Sequence, residues 1–264
     1  MGALTYHPEN EISVGEIQID LDFIARECKK ILQSQPLENL DGLYYLGGTS
    51  GGAQPKNMTH LDNKDWIIKF PAHVDKADAG IMEYEYSLCA KECGIPMTET
   101  RLFPSKECEG YFGIERFDRI GGERKHMLIV AALLELDFRE PNMDYHELMK
   151  LTKIITGDNK MDIETMFRMM CFNVFAHNMD DHSKNFTYIY DDTKDIWHLS
   201  PEYDLTYSTT YYGEHTTSIN GNGRNPSKED LMKVGVTAGM KKEICFDIMD
   251  MIQTKVIDRL QKFI

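Results

Sequence analysis

The sequence predicts a bilobal α+β fold, with a β-rich half ending near residue 118 and a helix-rich half after it. Three observations lead there. Short strand-like apolar runs cluster early, at 66–70, 99–103 and 111–117. Runs with helical spacing dominate later, at 127–138, 144–156, 162–178 and 227–264. The length, 264 residues, sits where one core stops growing, near about 250–300 residues. One domain, or two lobes around a cleft, is therefore expected, and such a junction is a common place for a ligand.

Taken in order, residues 17–34 carry apolar positions whose later part suits an amphipathic helix. Residues 43–46 (LYYL) read as a short strand leading into a glycine-rich run. WIIKF, 66–70, is the next strand and Pro71 ends it. Residues 79–93 read as a helix stopped by Gly94, with Pro96 beyond. After Arg119-Ile120-Gly121-Gly122 the character turns helical. The polar loop 179–185 then interrupts, followed by short strands at 186–190 and 196–199 and a helical tail from 227.

Hydrophobic residues make up 42% and charged residues 27%, ordinary globular usage. The net charge of -14 repels phosphate backbones, so direct nucleic-acid binding is not expected, while a DNA-binding partner stays open. The six cysteines (28, 89, 93, 108, 171 and 245) are scattered without paired metal-type spacing and read as cytosolic thiols. No apolar run of about 18 residues occurs, so no membrane helix is expected. The N-terminus lacks the basic start and apolar core of a secretory signal. A cytoplasmic location follows, or a host cytosol if the chain is an effector.

Four stretches carry chemistry. In the first, 47–56 (GGTSGGAQPK), glycines let backbone N–H groups approach a ligand closely. It lacks the Gly-Lys-Ser/Thr ending of a P-loop, and a plain turn explains it equally well. In the second, Lys69 lies in an apolar strand. Alternation could point it at solvent; alternatively it holds nucleotide phosphates, oriented by Glu83 or Glu85 on the next helix.

The third stretch, 177–186 (HNMDDHSKNF), places Asp180 five residues before Asn185. Phosphoryl transfer needs a carboxylate to orient the attacking hydroxyl and oxygen ligands for magnesium, and this pair offers both. A solvated helix–strand loop is the plain alternative. A zinc site using His177 and His182 lacks a third ligand fixed by spacing. In the fourth, Pro201-Glu202-Tyr203-Asp204, the aspartate returns after two strands, where a second magnesium carboxylate would be needed.

These stretches resemble the HipA family of serine/threonine kinases. The motifs that carry it are Gly52-Ala53-Gln54-Pro55-Lys56, Ile68-Lys69-Phe70-Pro71, Glu115-Arg116-Phe117-Asp118-Arg119, Asp180-Asp181-His182-Ser183-Lys184-Asn185 and Pro201-Glu202-Tyr203-Asp204. The resemblance implies a protein-kinase-like fold, with an N-lobe over 1–118, a helical C-lobe over 119–264, and ATP and Mg2+ between them. It makes Asp180 the catalytic carboxylate and has Lys184 neutralise the transferring phosphate. Asn185 and Asp204 become metal ligands. Lys69 contacts ATP with Glu83 as partner, and Gly51, Gly52, Gln54 and Lys56 belong to the nucleotide-binding loop. Glu115 and Phe117 lie at the hinge by the adenine, and His182 supports the catalytic loop. Thr49 and Ser50 become autophosphorylation sites. It further implies a toxin with an antitoxin partner and a protein substrate such as an aminoacyl-tRNA synthetase.

Two departures stand out. Fuller members carry an extra N-terminal subdomain before the glycine-rich loop, so this chain resembles the short, HipT-like form. Asp181 stands where several relatives have Gly, which suggests an added charge beside the metal. The run 207–225, rich in aromatic residues and glycine, reads as an ordinary surface loop, with a substrate-shaping role as the alternative. Rival functions are a silent kinase-shaped binding module, or a kinase of small molecules.

Overall fold

The computed structural model describes residues 2–4, 20–32, 55–71, 78–137, 143–210 and 212–264. Helix α1 (Leu21–Leu32) is capped by Asp20, whose Oδ1 accepts from the Asp22 and Phe23 amides at 3.0 and 3.1 Å. Strands β1 (Lys56–Leu61) and β2 (Lys64–Lys69) form a hairpin closed by Asp62 and Asn63, both at positive φ. Asp and Asn tolerate that left-handed pair, which matches the twist of the strands.

Helix α2 (Ala79–Glu92) follows, then β3 (Thr100–Phe103) and β4 (Tyr111–Glu115). The four strands make one antiparallel sheet in the order β1-β2-β4-β3. Period-two alternation divides the faces. Trp66, Ile68 and Phe70 pack with Ile24 of α1, Phe103 and Tyr111 in a small core of their own. Ile67 and Lys69 take the opposite face.

No apolar alternation in the sequence marks a strand over 56–61. The reason lies in its burial: Asn57 and Thr59 turn inward while Met58 faces the cleft, so the strand lacks the apolar alternation that would mark it.

Two short paired strands, β5 (Arg119–Ile120) and β6 (Glu123–Arg124), link to the second half. The helix expected over 127–138 is instead strand β7 (Met127–Ile129) and a single turn, α3 (Val130–Leu133). Tertiary pairing overrides local spacing here. β7 pairs with β9 (Thr187–Asp191), and the Val130 and Ala131 amides donate to the carbonyls of Phe186 and Ser183 at 2.9 and 3.1 Å. With β10 (Ile196–Leu199) these strands form the antiparallel sheet β10-β9-β7.

After β8 (Met143–Asp144) comes α4 (Tyr145–Ile155), opened by an Asp144/Glu147 capping box. Helix α5 (Lys160–Phe175) is capped by Asn159. β11 (Thr217–Ser218) pairs in parallel with β8. The tail is two helices, α6 (Lys228–Thr237) and α7 (Lys242–Leu260), separated at Gly239, which takes φ 97°.

The larger core joins α4 through α7 and also takes Tyr86, Cys89 and Ala90 from α2 and Cys93 just beyond its end. Helix α2 therefore belongs to both halves. It packs on β3 and β4 on one side and on α7 on the other.

Candidate active site

Lys56 and Lys69 face one another across the β1–β2 hairpin, and both reach Asp204. Lys69 ion-pairs with Asp204 and with Glu83 at once, and the Lys56 Nζ stands 3.9 Å from Asp204. Alternation does turn Lys69 away from the Trp66 face, but that side is covered, and only 7% of the residue is exposed. Glu85, the other carboxylate considered from sequence, points elsewhere and pairs with Arg259 at 2.9 Å.

Helix α2 reaches this position because Gly80 opens it. A Cβ there would lie 2.2 Å from the Gly110 carbonyl oxygen. Only glycine lets the first turn approach the β3–β4 connection so closely, and that approach seats Glu83 beneath Lys69.

Charge sets the protonation states. Burial pulls Lys69 toward the neutral amine, but the Asp204 and Glu83 carboxylates outweigh it and raise its pKa. The Lys69 ammonium, against the opposing effect of burial, holds Asp204 down to about 2. Burial pushes Glu83 up to about 7 although the Lys69 ammonium pulls it down. The cluster thus presents an ammonium and an ionised carboxylate to the cleft.

Asp204 takes positive φ, 63°, which an aspartate tolerates better than most residues. Its turn is pinned on both sides. The Glu202 amide donates to the Pro96 carbonyl at 2.7 Å, and the Tyr203 hydroxyl donates to the Lys184 carbonyl at 2.9 Å. Tyr203 also shares a hydrogen bond with the Thr187 hydroxyl at 2.6 Å. The aspartate turn and the 180–185 loop are thereby tied together.

That loop leaves α5 through His177, also at positive φ. The Asn185 side-chain amide donates to the Asp180 carbonyl at 2.9 Å, and the Asn185 backbone amide to the His182 carbonyl at 2.7 Å. His182 Nδ1 lies 3.3 Å from both the Ser183 hydroxyl and the Lys184 amide, so its ring braces the loop from within. Asp180 and Lys184 are exposed. Partial desolvation, then the nearby Asp204 charge, raises the Asp180 pKa, which suits a carboxylate that accepts a proton.

Beside these groups a cavity of about 200 Å³ is walled by Met58, Ile67, Ile114, Phe117, Met127 and Tyr203. The Phe117 and Tyr203 rings lie 5.7 Å apart. Apolar walls beside charged groups are the make-up of a small-molecule pocket. The Glu115 carboxylate at its edge is engaged by Lys64 at 2.9 Å, while the Glu115 carbonyl accepts the Thr98 hydroxyl at 2.5 Å.

The structure thus brings Lys56, Lys69, Glu83, Asp204, the 180–185 loop, Glu115 and Phe117 around one cleft. Gly51, Gly52 and Gln54, and the hydroxyls of Thr49 and Ser50, lie outside the described residues.

Three features escaped the sequence reading. Asp118 is buried between Arg116 and Arg119, with contacts of 2.8–2.9 Å. The Arg-Phe-Asp-Arg run is therefore a clamp on the connection between halves. Asp181 does not add its charge to the cleft; its carboxylate is wholly buried and turned inward onto Tyr145, His215 and Thr217. The run 207–225 is correspondingly no ordinary surface loop, because residues 208, 216 and 217 bond to the 177–181 backbone and His215 to the Asp181 carboxylate. Nothing local in the sequence signals these long-range partners.

The model of the HipA-like C-terminal domain matches residues 48–260. Among curated proteins, the "Putative kinase Y4dM" of Sinorhizobium fredii (strain NBRC 101917 / NGR234) is 25% identical over 202 residues, 69% of this chain and 48% of that protein. The aligned part spans about half the length of that relative. Among solved structures, HipA of Shewanella oneidensis MR-1, from a complex with HipB and operator DNA, superposes with a TM-score of 0.71 at 18% identity. The match covers 99% of this chain and 68% of that one. The proinflammatory kinase CtkA of Helicobacter pylori gives a TM-score of 0.53 at 12% identity over 78% of this chain and 90% of its own. The fold is the bilobal, kinase-like α+β architecture that the sequence predicts.

Proposed function

We propose that this chain, which belongs to the HipA-like C-terminal domain family, is a kinase that transfers the γ-phosphoryl group of ATP to a serine or threonine hydroxyl of a protein. The observation that carries this is the convergence of Lys69, Glu83 and Asp204 opposite the Asp180–Asn185 loop. Phosphoryl transfer requires positioning and charge neutralisation more than covalent chemistry, and these residues supply both.

In this reading the adenine enters the slot beside Phe117 and Tyr203, with Glu115 at the hinge. Lys69, steadied by Glu83, and Lys56 bind phosphate oxygens. The acceptor hydroxyl is oriented by Asp180, which takes its proton as the bond to phosphorus forms and ADP departs. Lys184 offsets charge on the transferring group, and His182 keeps the loop in shape. Asp204 and Asn185 are oxygen donors, the chemistry a hard divalent cation selects. They would hold magnesium, which neutralises charge on the phosphates. Thr49 and Ser50 are the proposed sites of autophosphorylation, where added charge would oppose ATP phosphates.

The family and the Shewanella complex support a toxin-like role with an antitoxin-type protein partner. A chain of net charge -14 would leave contact with DNA to that partner. The proposed setting is the cytosol and the proposed substrate class a translation protein such as an aminoacyl-tRNA synthetase. The lobe division near residue 118 is proposed on the same footing.

The test is intact mass after incubation with Mg-ATP, for wild type and Asp180→Ala. A gain of roughly 80 Da per phosphate by wild type alone is expected. No gain, together with no labelling of proteins in a cell extract by dephosphorylated enzyme, would refute the reading.

A further inference from the structure

Beside the exposed Asp180, its neighbour Asp181 is 1% exposed. Burying a carboxylate costs several kcal/mol unless donors replace its water, and here three do. Asp181 Oδ2 accepts from the Tyr145 hydroxyl at 3.0 Å and from His215 Nδ1 at 2.9 Å. Its Oδ1 accepts from the Thr217 amide at 3.1 Å, and the Thr217 hydroxyl donates to the Asp181 carbonyl at 2.6 Å.

The backbone around Asp180 is laced to the same segment. The Thr216 amide and hydroxyl donate to the Met179 carbonyl at 3.0 and 3.1 Å. The Met179 amide donates to Ser208, and the Ser208 amide to His177, each at 3.0 Å. On the other side, Asn173 of α5 donates to the Tyr145 hydroxyl at 3.0 Å. Residues on both flanks of Asp180 are therefore fixed to α4, α5 and the 208–217 segment.

We infer that Asp181 is a positioning residue: its inward carboxylate locks the 208–217 segment and α4 onto the catalytic loop and so sets the direction in which Asp180 faces its substrate. The segment follows Asp204 in the chain and docks through His215 and Thr217 onto the loop that carries Asp180. The inference rests on the reading of Asp180 as the group that orients the acceptor hydroxyl.

Asp181→Asn keeps the shape of the side chain but turns an N–H toward its donors. A displacement of about 1 Å at a reacting group can cost about 100-fold, so a fall in kcat of that order is expected with KM for ATP unchanged, since Lys56 and Lys69 lie on the sheet. Tyr145→Phe removes one donor, leaves two and should give a smaller loss; it serves if Asp181→Asn does not fold.

Hydrogen exchange over residues 178–186, read without nucleotide, tests the anchor separately from the chemistry. Faster exchange there, with β9 and the middle of α5 still protected, is expected in the variants. Exchange like wild type, or a kcat loss that only follows the unfolded fraction, would overturn the inference. Should wild type transfer no phosphate while the variant loop exchanges faster, the anchor stands and the phosphotransfer reading fails.

Discussion

Lys69 and Glu83 form an ion pair sealed inside the protein, with side chains only 7% and 6% exposed. Removing one member of such a pair leaves an uncompensated charge and costs about 3–5 kcal/mol. Lys69→Met leaves both Glu83 and Asp204 without their shared ammonium. Urea unfolding should show a loss of that size, and phosphate transfer should fall about 100- to 1000-fold, the usual effect of deleting a group that stabilises developing charge. Adding Glu83→Gln should restore part of the stability and none of the activity. A stable Lys69→Met protein with wild-type rate would contradict the proposed role.

Asp204 offers a test with a defined sign. Lys69 holds its pKa at about 2, below the ordinary aspartate value. A depressed carboxylate contributes stability above the unfolded pKa, about 3.9, and loses it as pH falls through the folded value. Wild type should therefore weaken between about pH 4 and pH 2, and Asp204→Asn should lose less over that window. The same variant should need more magnesium for half-maximal transfer. Parallel acid unfolding curves would argue against the Lys69–Asp204 pairing.

Glu202 has the opposite sign. Burial, only partly offset by the Tyr203 amide, raises its pKa to about 8. Its Oε2 has no hydrogen-bond partner among the described residues. A raised carboxyl contributes stability that is fully present below the ordinary glutamate pKa and lost as pH rises through the folded value. Wild-type stability should decline between about pH 5 and pH 9, and Glu202→Gln, which keeps an acceptor for the Tyr203 amide, should flatten that decline. Unfolding midpoints at stepped pH decide it; an unchanged slope would mean the carboxyl ionises freely.

Gly80→Ala tests the seat of α2. Its methyl would meet the Gly110 carbonyl oxygen at 2.2 Å, and backbone cannot swing aside as a flexible side chain can. Overpacking of this kind costs about 1–3 kcal/mol. Because the relief must lift α2, and Glu83 with it, activity should fall further than the loss of folded protein accounts for. Equal stability and rate would show that the close approach is unimportant.

What sequence alone determined here is local. The strand around Lys69, the helix over 79–93, the polar loop 179–185 and the turn ending at Asp204 were legible because alternation, helical spacing and turn residues are written in neighbouring positions. Ordered motifs then pointed to the family. Spacing left Glu83 and Glu85 open and the family resemblance favoured Glu83; the tertiary structure supplies the reason, since helix rotation and the Gly80 approach decide which carboxylate meets Lys69. It also drew 127–129 into a strand and made 56–61 a strand with polar residues inward, because pairing with distant segments outweighs local preference. Above all, it turned Asp181 inward. A carboxylate next to another carboxylate reads as one more charge at the site until Tyr145, His215 and Thr217, contributed by α4 and by the segment that ends in β11, are seen to meet it. Partners so far apart in the chain leave no mark in any one stretch of it, and only the folded geometry brings them within hydrogen-bond reach.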